Sequence, residues 1–231
     1  MIDFHSHILP ALDDGSKSLE ESRKLLTLEK AQGVDTVVLT PHFYPSRQPL
    51  EEFQKERDNS YRTLINDIRG EDFPRLLLGA EVAYFTGISN MENIESLCIE
   101  GTNLLLLEMP EAYWTEFIRR ELMNLALNRG LRIIIAHIER CIPYQKKATV
   151  SELIEMGIIM QANASYFNFR KTRRKALKKI KKGEIHILGS DCHNTQHRPP
   201  RLGEAAEVIS LKFSKGFLTR FNRFGENLLS N

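Results

Sequence analysis

The feature that most restricts this chain is a repeated punctuation, in which short apolar runs rich in branched residues alternate with longer amphipathic stretches. The runs are "IDFH", "DTVVLT", "LLLGAEV", "NLLLLEM", "RIIIAH", "GIIMQAN" and "EIHILGSD", about seven in all. Most are apolar without alternation, as strands covered on both faces should be, so they predict a parallel sheet. Helix signals fill the gaps between them. Ser18-Leu19-Glu20-Glu21 is a capping box, and Gly33 closes the helix it starts. Further helices are predicted over Glu51–Ile68, over Glu111–Asn128 ending at Gly130, over Val150–Met156 ending at Gly157, and over Arg170–Lys182 ending at Gly183. Two more lie near the C-terminus. No Pro- or Ser-rich linker, repeat or low-complexity segment interrupts the alternation, so residues 1–231 are read as one α/β domain.

Composition excludes several classes. A net charge of +2 does not polarise the whole molecule toward nucleic acid or membrane, and the only strong bias is local. Three cysteines cannot close a disulfide framework, which fits a reducing compartment. Met1 leads straight into Ile2-Asp3-Phe4-His5 without a basic or apolar leader, and no apolar run approaches the roughly 18 residues of a membrane span. The expectation is a cytoplasmic, soluble protein.

The polar residues gather at one end of the runs. His5 and His7 end the first, His42 follows the second, Glu81 sits late in the third, Glu108 ends the fourth, His137 the fifth, and Asp191 with His193 the seventh. In a barrel of parallel strands the C-terminal ends form one face, so residues scattered through the sequence converge there. Strand side chains alternate, and His5 and His7 can therefore reach one metal ion together. A lone His-x-His carries little weight, and a single Glu81 or His42 at a strand end is an ordinary hydrogen-bonded rim residue. The set carries more. Five of the seven histidines lie at strand ends, beside carboxylates that would be costly to bury unpaired. A shared cation removes that cost. His186, facing out of a strand, and His197 stand outside the set.

Such a donor set exceeds the needs of one ion, so two or three are implied. Mixed nitrogen and oxygen ligands without thiolate suit manganese, iron or zinc better than magnesium or calcium. Glu81 is suited to bridge two ions about 3.5–4 Å apart, the spacing that clamps the attacking and leaving oxygens of a phosphoryl displacement. The chemistry suggested is hydrolysis. "AHIER" sets Arg140 three residues beyond His137, and "SDCHNTQHRPP" sets Arg198 five beyond His193. A single loop arginine is usually a surface ion pair, but two beside metal ligands favour a phosphate-bearing substrate, whose oxygens a guanidinium fork matches.

Taken in order, "DFHSHILPALDDGSKS", "TPHFYP", "LLGAEV", "LLLEMP", "AHIER" and "GSDCHNTQHRPP" resemble the motifs of the PHP (polymerase and histidinol phosphatase) superfamily. The resemblance is stronger to its bacterial protein-tyrosine phosphatases of capsule and exopolysaccharide synthesis, and it runs from residue 1 to about 203. It implies a distorted TIM-like barrel of about seven β/α units around a three-metal cluster, usually manganese-activated. The motif positions carry over to His5, His7, His42, Glu81, Glu108, His137, Asp191 and His193 as ligands. The family's acidic ligand in "DDG" matches Asp14, with Asp13 beside it as the alternative. Arg140 and Arg198 match the phosphate-binding arginines. The resemblance also implies in-line attack by a metal-bridging hydroxide on a phosphotyrosine protein, namely a membrane-attached bacterial tyrosine kinase. A tyrosinate leaving group, with a pKa near 10, needs less protonation than an alkoxide.

Other readings stay open. Cys192 to Arg198 spells Cys-x5-Arg, the spacing of cysteine-dependent phosphatases, although the intervening residues lack glycine and Pro199-Pro200 removes two donors. A histidinol-phosphate phosphatase or an exonuclease would use the same metals. A non-catalytic module that shields phosphotyrosine is a further class, but pure binding does not need such a cluster. The segment "MQANASYFNFRKTRRKALKKIKKGE" departs from the better-known members. Its helix has nine Lys or Arg among residues 170–182 and reads as a solvated face, as a surface for nucleic acid, or, as the favoured functional reading, as a dock for an acidic partner or anionic membrane. No stable nucleic-acid partner is expected. Oligomeric state is not readable from the sequence.

Overall fold

The seven apolar runs become the staves of one parallel barrel in the computed structural model, which describes residues 1–230. The first half holds β1 (Ile2–Ser6), α1 (Leu19–Ala31), β2 (Thr36–Leu39), β3 (His42–Phe43), α2 (Leu50–Asp67), β4 (Arg75–Leu78) and β5 (Glu81–Ala83). Next come β6 (Leu104–Glu108), α3 (Glu116–Asn128), β7 (Arg132–Ile135), α4 (Ile138–Cys141) and α5 (Lys147–Glu155). The chain ends with β8 (Ile159–Asn163), α6 (Ala164–Asn168), α7 (Arg170–Lys181), β9 (Ile187–Gly189), α8 (Leu202–Phe213) and α9 (Lys215–Leu229).

Every ladder is parallel, with the orders β1-β2-β4 and β3-β5-β6-β7-β8-β9. Two expected runs are each split. Pro41 has no N–H to donate, so one stave stops at Leu39 and resumes at His42. Its neighbour breaks beside it at Gly79-Ala80. Hydrogen bonds carry the pairing across both breaks, from Gly79 N to Leu39 O at 2.9 Å and from Glu81 N to Pro41 O at 3.0 Å. The ring closes where the exit of β9 returns to β1. There Asp191 N donates to His5 O at 2.8 Å and His7 N to Cys192 O at 3.0 Å.

Two apolar layers follow from the pleat. Leu105 and Leu107 of β6 pack in the large core with Leu25, Leu64 and Leu122 of the surrounding helices. Leu104 and Leu106 point the other way, into a smaller cluster with Phe4, Val38, Leu77 and Ile134, which Leu228 of α9 closes from below. This plug leaves the C-terminal mouth for polar residues.

Helix α1 has the expected cap, and α5 begins three residues before the expected Val150. Ser18 Oγ accepts from Glu21 N at 3.2 Å, and the Glu21 carboxylate accepts from Lys17 N at 2.9 Å. Helix α3 starts at Glu116, not at 111, because Trp114 is buried in the core and its indole N–H donates to Pro110 O at 3.0 Å. Thr115 caps the helix instead, through its side chain and Ile118 N. The short helices α4 and α6, directly after β7 and β8, are not anticipated by the sequence.

Candidate active site

A one-residue slip in β1 sets the histidines. Pairing with β2 shifts register between Asp3 and Ser6, which is a bulge. Asp3 consequently faces Glu29 of α1 and Cys192, whereas His5 and His7 face Glu81. Two other strand exits turn sharply: His137 has φ 31° and Asp191 φ 53°. Left-handed backbone at non-glycine residues costs about 1–3 kcal/mol and persists only where the surroundings hold it. His137 N is held by Gln161 Oε1 at 2.6 Å, and Asp191 N by His5 O.

The nine residues proposed from the sequence as metal ligands converge. His7, Asp14, His42 and His193 form one group with donor atoms close enough for a single ion; His5, His7 and Glu81 form a second, and His42, Glu81 and Glu108 a third. His7, His42 and Glu81 are each shared between two groups. His137 joins through Nε2, 2.8 Å from Glu81 Oε1 and 3.7 Å from Glu108 Oε1. Asp191 Oδ1 lies 3.6 Å from His5 Nε2 and 3.5 Å from His7 Nε2. Asp13 and Asp14 divide their duties. Asp13 Oδ2 is 2.7 Å from His7 Nδ1, behind the ring, while Asp14 Oδ1 stands 3.4 Å from both His42 Nε2 and His193 Nε2.

The donor set fits divalent transition-metal ions. The outer nitrogens of three rings are occupied: His7 Nδ1 by Asp13, His5 Nδ1 by Gln161 Oε1 at 3.3 Å, and His193 Nδ1 by the Asp191 carbonyl at 3.0 Å. An imidazole whose Nδ1–H is so engaged presents Nε2 as a lone pair. His5 Nε2 and His7 Nε2 then meet at 3.1 Å, and His193 Nε2 has no hydrogen-bond partner. Glu81 Oε2 accepts no hydrogen bond either, although His42 Nδ1 and His5 Nε2 are 2.9 and 3.1 Å away. Buried lone pairs aimed at common points call for cations.

Electrostatics says the same. Burial opposes charge on His5 and His7, yet the carboxylates around them, Glu81 and Asp191 for both and Asp13 for His7, hold both rings above their ordinary range. Burial would likewise raise Glu81 and Asp191, but the surrounding imidazoles keep both carboxyls well below the usual range. His193 is driven the other way, down to about 4, by burial and by the charge on His7.

Asp191 links this cluster to the two arginines. Its Oδ1 faces the histidines, and its Oδ2 accepts from Arg140 at 2.8 Å and from Arg198 at 2.7 Å. Both guanidinium groups line a cavity of about 310 Å³ shared with Asn163, Ser165, Phe169 and Arg201. On the other side of the mouth, Leu12, Asp14, His42, Tyr44 and Arg47 line a second cavity of about 460 Å³.

The cysteine reading fails on geometry. Cys192 is fully buried with its Sγ 4.0 Å from Glu29, and burial together with Glu29 and Asp3 holds the thiol well above its ordinary value. The following loop offers no anion cradle, because Asn194 Oδ1 takes the N–H groups of Gln196, His197 and Arg198. His193 N is taken by Arg198 O.

Sequence reasoning missed three participants, and it named a fourth, Asp13, only as an alternative ligand. Gln161 binds His5 and His137, Asn163 Nδ2 donates to Asp191 Oδ2 at 2.7 Å, Asp13 orients His7, and Tyr44 Oη donates to Glu108 Oε2 at 3.2 Å. The first two had a signal: Gln161 and Asn163 are polar residues two apart in an apolar strand, the spacing that identified His5 and His7. His186 lies outside the site, accepting from Met160 N at 2.9 Å.

The family model for capsular polysaccharide synthesis, CpsB/CapC, matches residues 1–227. The tyrosine-protein phosphatase CpsB of Streptococcus pneumoniae is 32% identical over 225 residues, which cover 92% of this chain and 91% of that protein. The tyrosine-protein phosphatase YwqE of Bacillus subtilis is 27% identical over 240 residues, covering 100% and 92%. A chain from the crystal structures of YwqE from Bacillus subtilis and CpsB from Streptococcus pneumoniae, described as metal-dependent tyrosine phosphatases, superposes with a TM-score of 0.85 at 24% identity, covering 100% of this chain and 95% of that one. Histidinol phosphate phosphatase from Lactococcus lactis, complexed with zinc, L-histidinol and phosphate, gives 0.56 at 15% identity over 92% and 94%. These two likenesses establish the shared barrel. With the family model spanning nearly its whole length, the chain belongs to the CpsB/CapC family of capsular polysaccharide synthesis.

Proposed function

We propose that this chain is a metal-dependent phosphomonoester hydrolase, a protein-tyrosine phosphatase whose single catalytic domain is residues 1–231. The observation that carries the reading is Asp191, one oxygen of which faces His5 and His7 while the other binds Arg140 and Arg198. A phosphoryl group held by the arginines would therefore sit against the imidazole cluster. His5, His7, Asp14, His42, Glu81, Glu108, His137, Asp191 and His193 would hold two or three divalent ions, with manganese preferred and iron or zinc as alternatives. When bound, such ions supply Lewis acidity and lower the pKa of water enough for it to attack phosphorus at neutral pH.

The remaining work falls to the chain. Arg140 and Arg198 are the catalytic and substrate-binding residues, orienting the phosphoryl oxygens and meeting the charge that develops on them. Asp13 and Gln161 keep the His7 and His5 rings in one orientation and tautomer. Asn163 holds Asp191 Oδ2 beside the arginines. Phe169, exposed at 58%, gives the cavity an aromatic wall against which a tyrosyl ring packs.

The relatives act, by their names, as tyrosine-protein phosphatases, and the family name ties them to capsular polysaccharide synthesis. The substrate proposed here is accordingly a phosphotyrosine protein, namely a membrane-attached bacterial tyrosine kinase of capsule or exopolysaccharide synthesis, met in the cytoplasm. Among the described residues no helix is long and apolar enough to cross a membrane. A panel of phosphotyrosine peptide, phosphoserine peptide, histidinol phosphate and single-stranded DNA, each assayed with manganese and with a chelator, tests the reading. Preferential turnover of anything but phosphotyrosine would refute the substrate class.

A further inference from the structure

We propose that the groove between α7 and α8 binds an acidic segment of the same polypeptide whose phosphotyrosine enters the active site, an inference that rests on the phosphatase reading. The groove has a volume of about 520 Å³. One wall is a helical stripe, Arg170, Arg173, Arg174, Lys178 and Lys181, and Lys212 of α8 stands across from it. Leu177 and Phe213 add apolar surface between the charges, and no carboxylate lines the groove.

The cations that line the groove have no carboxylate partner among the described residues. Among the described residues Glu184 is the one carboxylate paired with the 170–182 segment. It meets Lys179 at 2.9 Å and Lys182 at 3.7 Å, both off the stripe. Arg173 donates to the Phe167 and Asn168 carbonyls, whereas Arg170, Arg174, Lys178, Lys181 and Lys212 make no ion pair among the described residues. Arg174 follows Arg170 by four residues and Lys178 follows Arg174 by four, a spacing at which like charges repel. Arg170 and Lys171 also sit at the positive end of the helix dipole, with no acidic residue in the first turn. The fold accepts these penalties in a chain whose net charge is only +2, so the rest of the molecule is net acidic. A polyanion in the groove relieves them.

Continuity with the site selects the occupant. Phe169 lines the cavity that holds Arg140 and Arg198, and the next residue, Arg170, lines the groove. A polypeptide leaving the cavity past Phe169 therefore enters the groove directly. Its lining sets Leu177 and Phe213 among six cations of two helices, which suits a peptide segment carrying both apolar and acidic side chains. The groove offers one aromatic side chain, Phe213, already in contact with Phe217 at 4.7 Å between ring centroids, where a nucleic-acid groove presents a series of stacking platforms.

The test compares two fluorescein-labelled phosphotyrosine peptides, one with a run of Glu and Asp beside the phosphotyrosine and one with Gln and Asn in those places. They are assayed with the full-length wild type and with the Arg174→Gln/Lys178→Gln double variant, whose changes are exposed and outside the catalytic set. The wild type should turn over the acidic peptide with a kcat/KM about tenfold higher at low salt, and the double variant should lose that preference while hydrolysing para-nitrophenyl phosphate at the wild-type rate. Equal turnover of both peptides by the wild type, or a preference that survives in the variant, would overturn the proposal. So would loss in the variant of binding to phosphatidylglycerol vesicles or oligothymidylate with peptide binding unchanged. If no phosphate ester is turned over at all, the phosphatase reading falls by itself. Fluorescence anisotropy then still decides the groove: tighter binding of the acidic peptide to wild type than to the variant supports it, and equal binding refutes it.

Discussion

Replacing Gly189 by alanine measures how closely β9 must lie against β1. A Cβ there would stand 2.5 Å from His5 Cβ, 2.7 Å from Gln161 Nε2 and 3.1 Å from His5 N. Carbon atoms in contact prefer about 3.5–4.0 Å, so the two strands must part by about 1 Å. Neither neighbour can yield cheaply. His5 is fully buried and its carbonyl accepts from Asp191, and Gln161 anchors both His5 and His137. Overpacking of this kind costs about 1–3 kcal/mol. At about 2–4 °C per kcal/mol for a chain of this size, Tm should fall by about 2–12 °C. The same movement carries Asp191 away from His5 and His7, and a misplacement of about 1 Å costs on the order of 10² in rate. Thermal unfolding, elemental metal analysis and para-nitrophenyl phosphate turnover with manganese read the three consequences. A Gly189→Ala protein with wild-type Tm, metal content and kcat would refute the claim that the β1–β9 contact sets the site.

Chelation should abolish turnover, and manganese should restore it better than magnesium because imidazole donors dominate the cluster; active protein without transition metal on elemental analysis would sink the metal hypothesis. Arg140→Ala and Arg198→Ala should each lower kcat/KM by about 10² or more with unchanged metal content, as loss of a donor aimed at developing charge does. Wild-type kinetics would reduce both to surface residues. Cys192→Ser should keep activity within about tenfold, since a fully buried thiol that faces Glu29 and Asp3 is no nucleophile, whereas loss of a covalent nucleophile costs orders of magnitude. His5→Ala should abolish turnover with the fold intact by circular dichroism, and the opposite pair of results would reinstate the cysteine. His186, held below its ordinary value by burial, binds a proton more readily in the unfolded chain. Its stability contribution is complete above about pH 6.5 and is lost as pH falls below that. His186→Gln should therefore lose less of its urea midpoint than wild type between pH 7 and 5.

The strands and the residues at their mouths were legible because both signals are local. An apolar run without alternation reports cover on two faces, and a polar residue at its end reports the rim, so His5, His42, Glu108 and Asp191 could be placed there, although only the set together pointed to a metal site. Propensity alone placed the α1 cap at Ser18 but misjudged α3, where burial of Trp114 outweighs the helical character of Glu111–Tyr113. The different placements of Asp13 and Asp14 belonged to tertiary structure, because Asp13 lies behind the His7 ring while Asp14 stands beside His193, which arrives from the far end of the chain. The same holds for the double allegiance of Asp191, and for Cys192, which one residue of strand alternation turns away from Arg198 and toward Asp3 and Glu29. Local patterns record which side chains are buried and with what period. Which buried groups meet is set by the register in which β9 closes against β1, and that register depends on a bulge in β1 and on Gly189, whose meaning appears only when residues nearly two hundred positions apart are brought into contact.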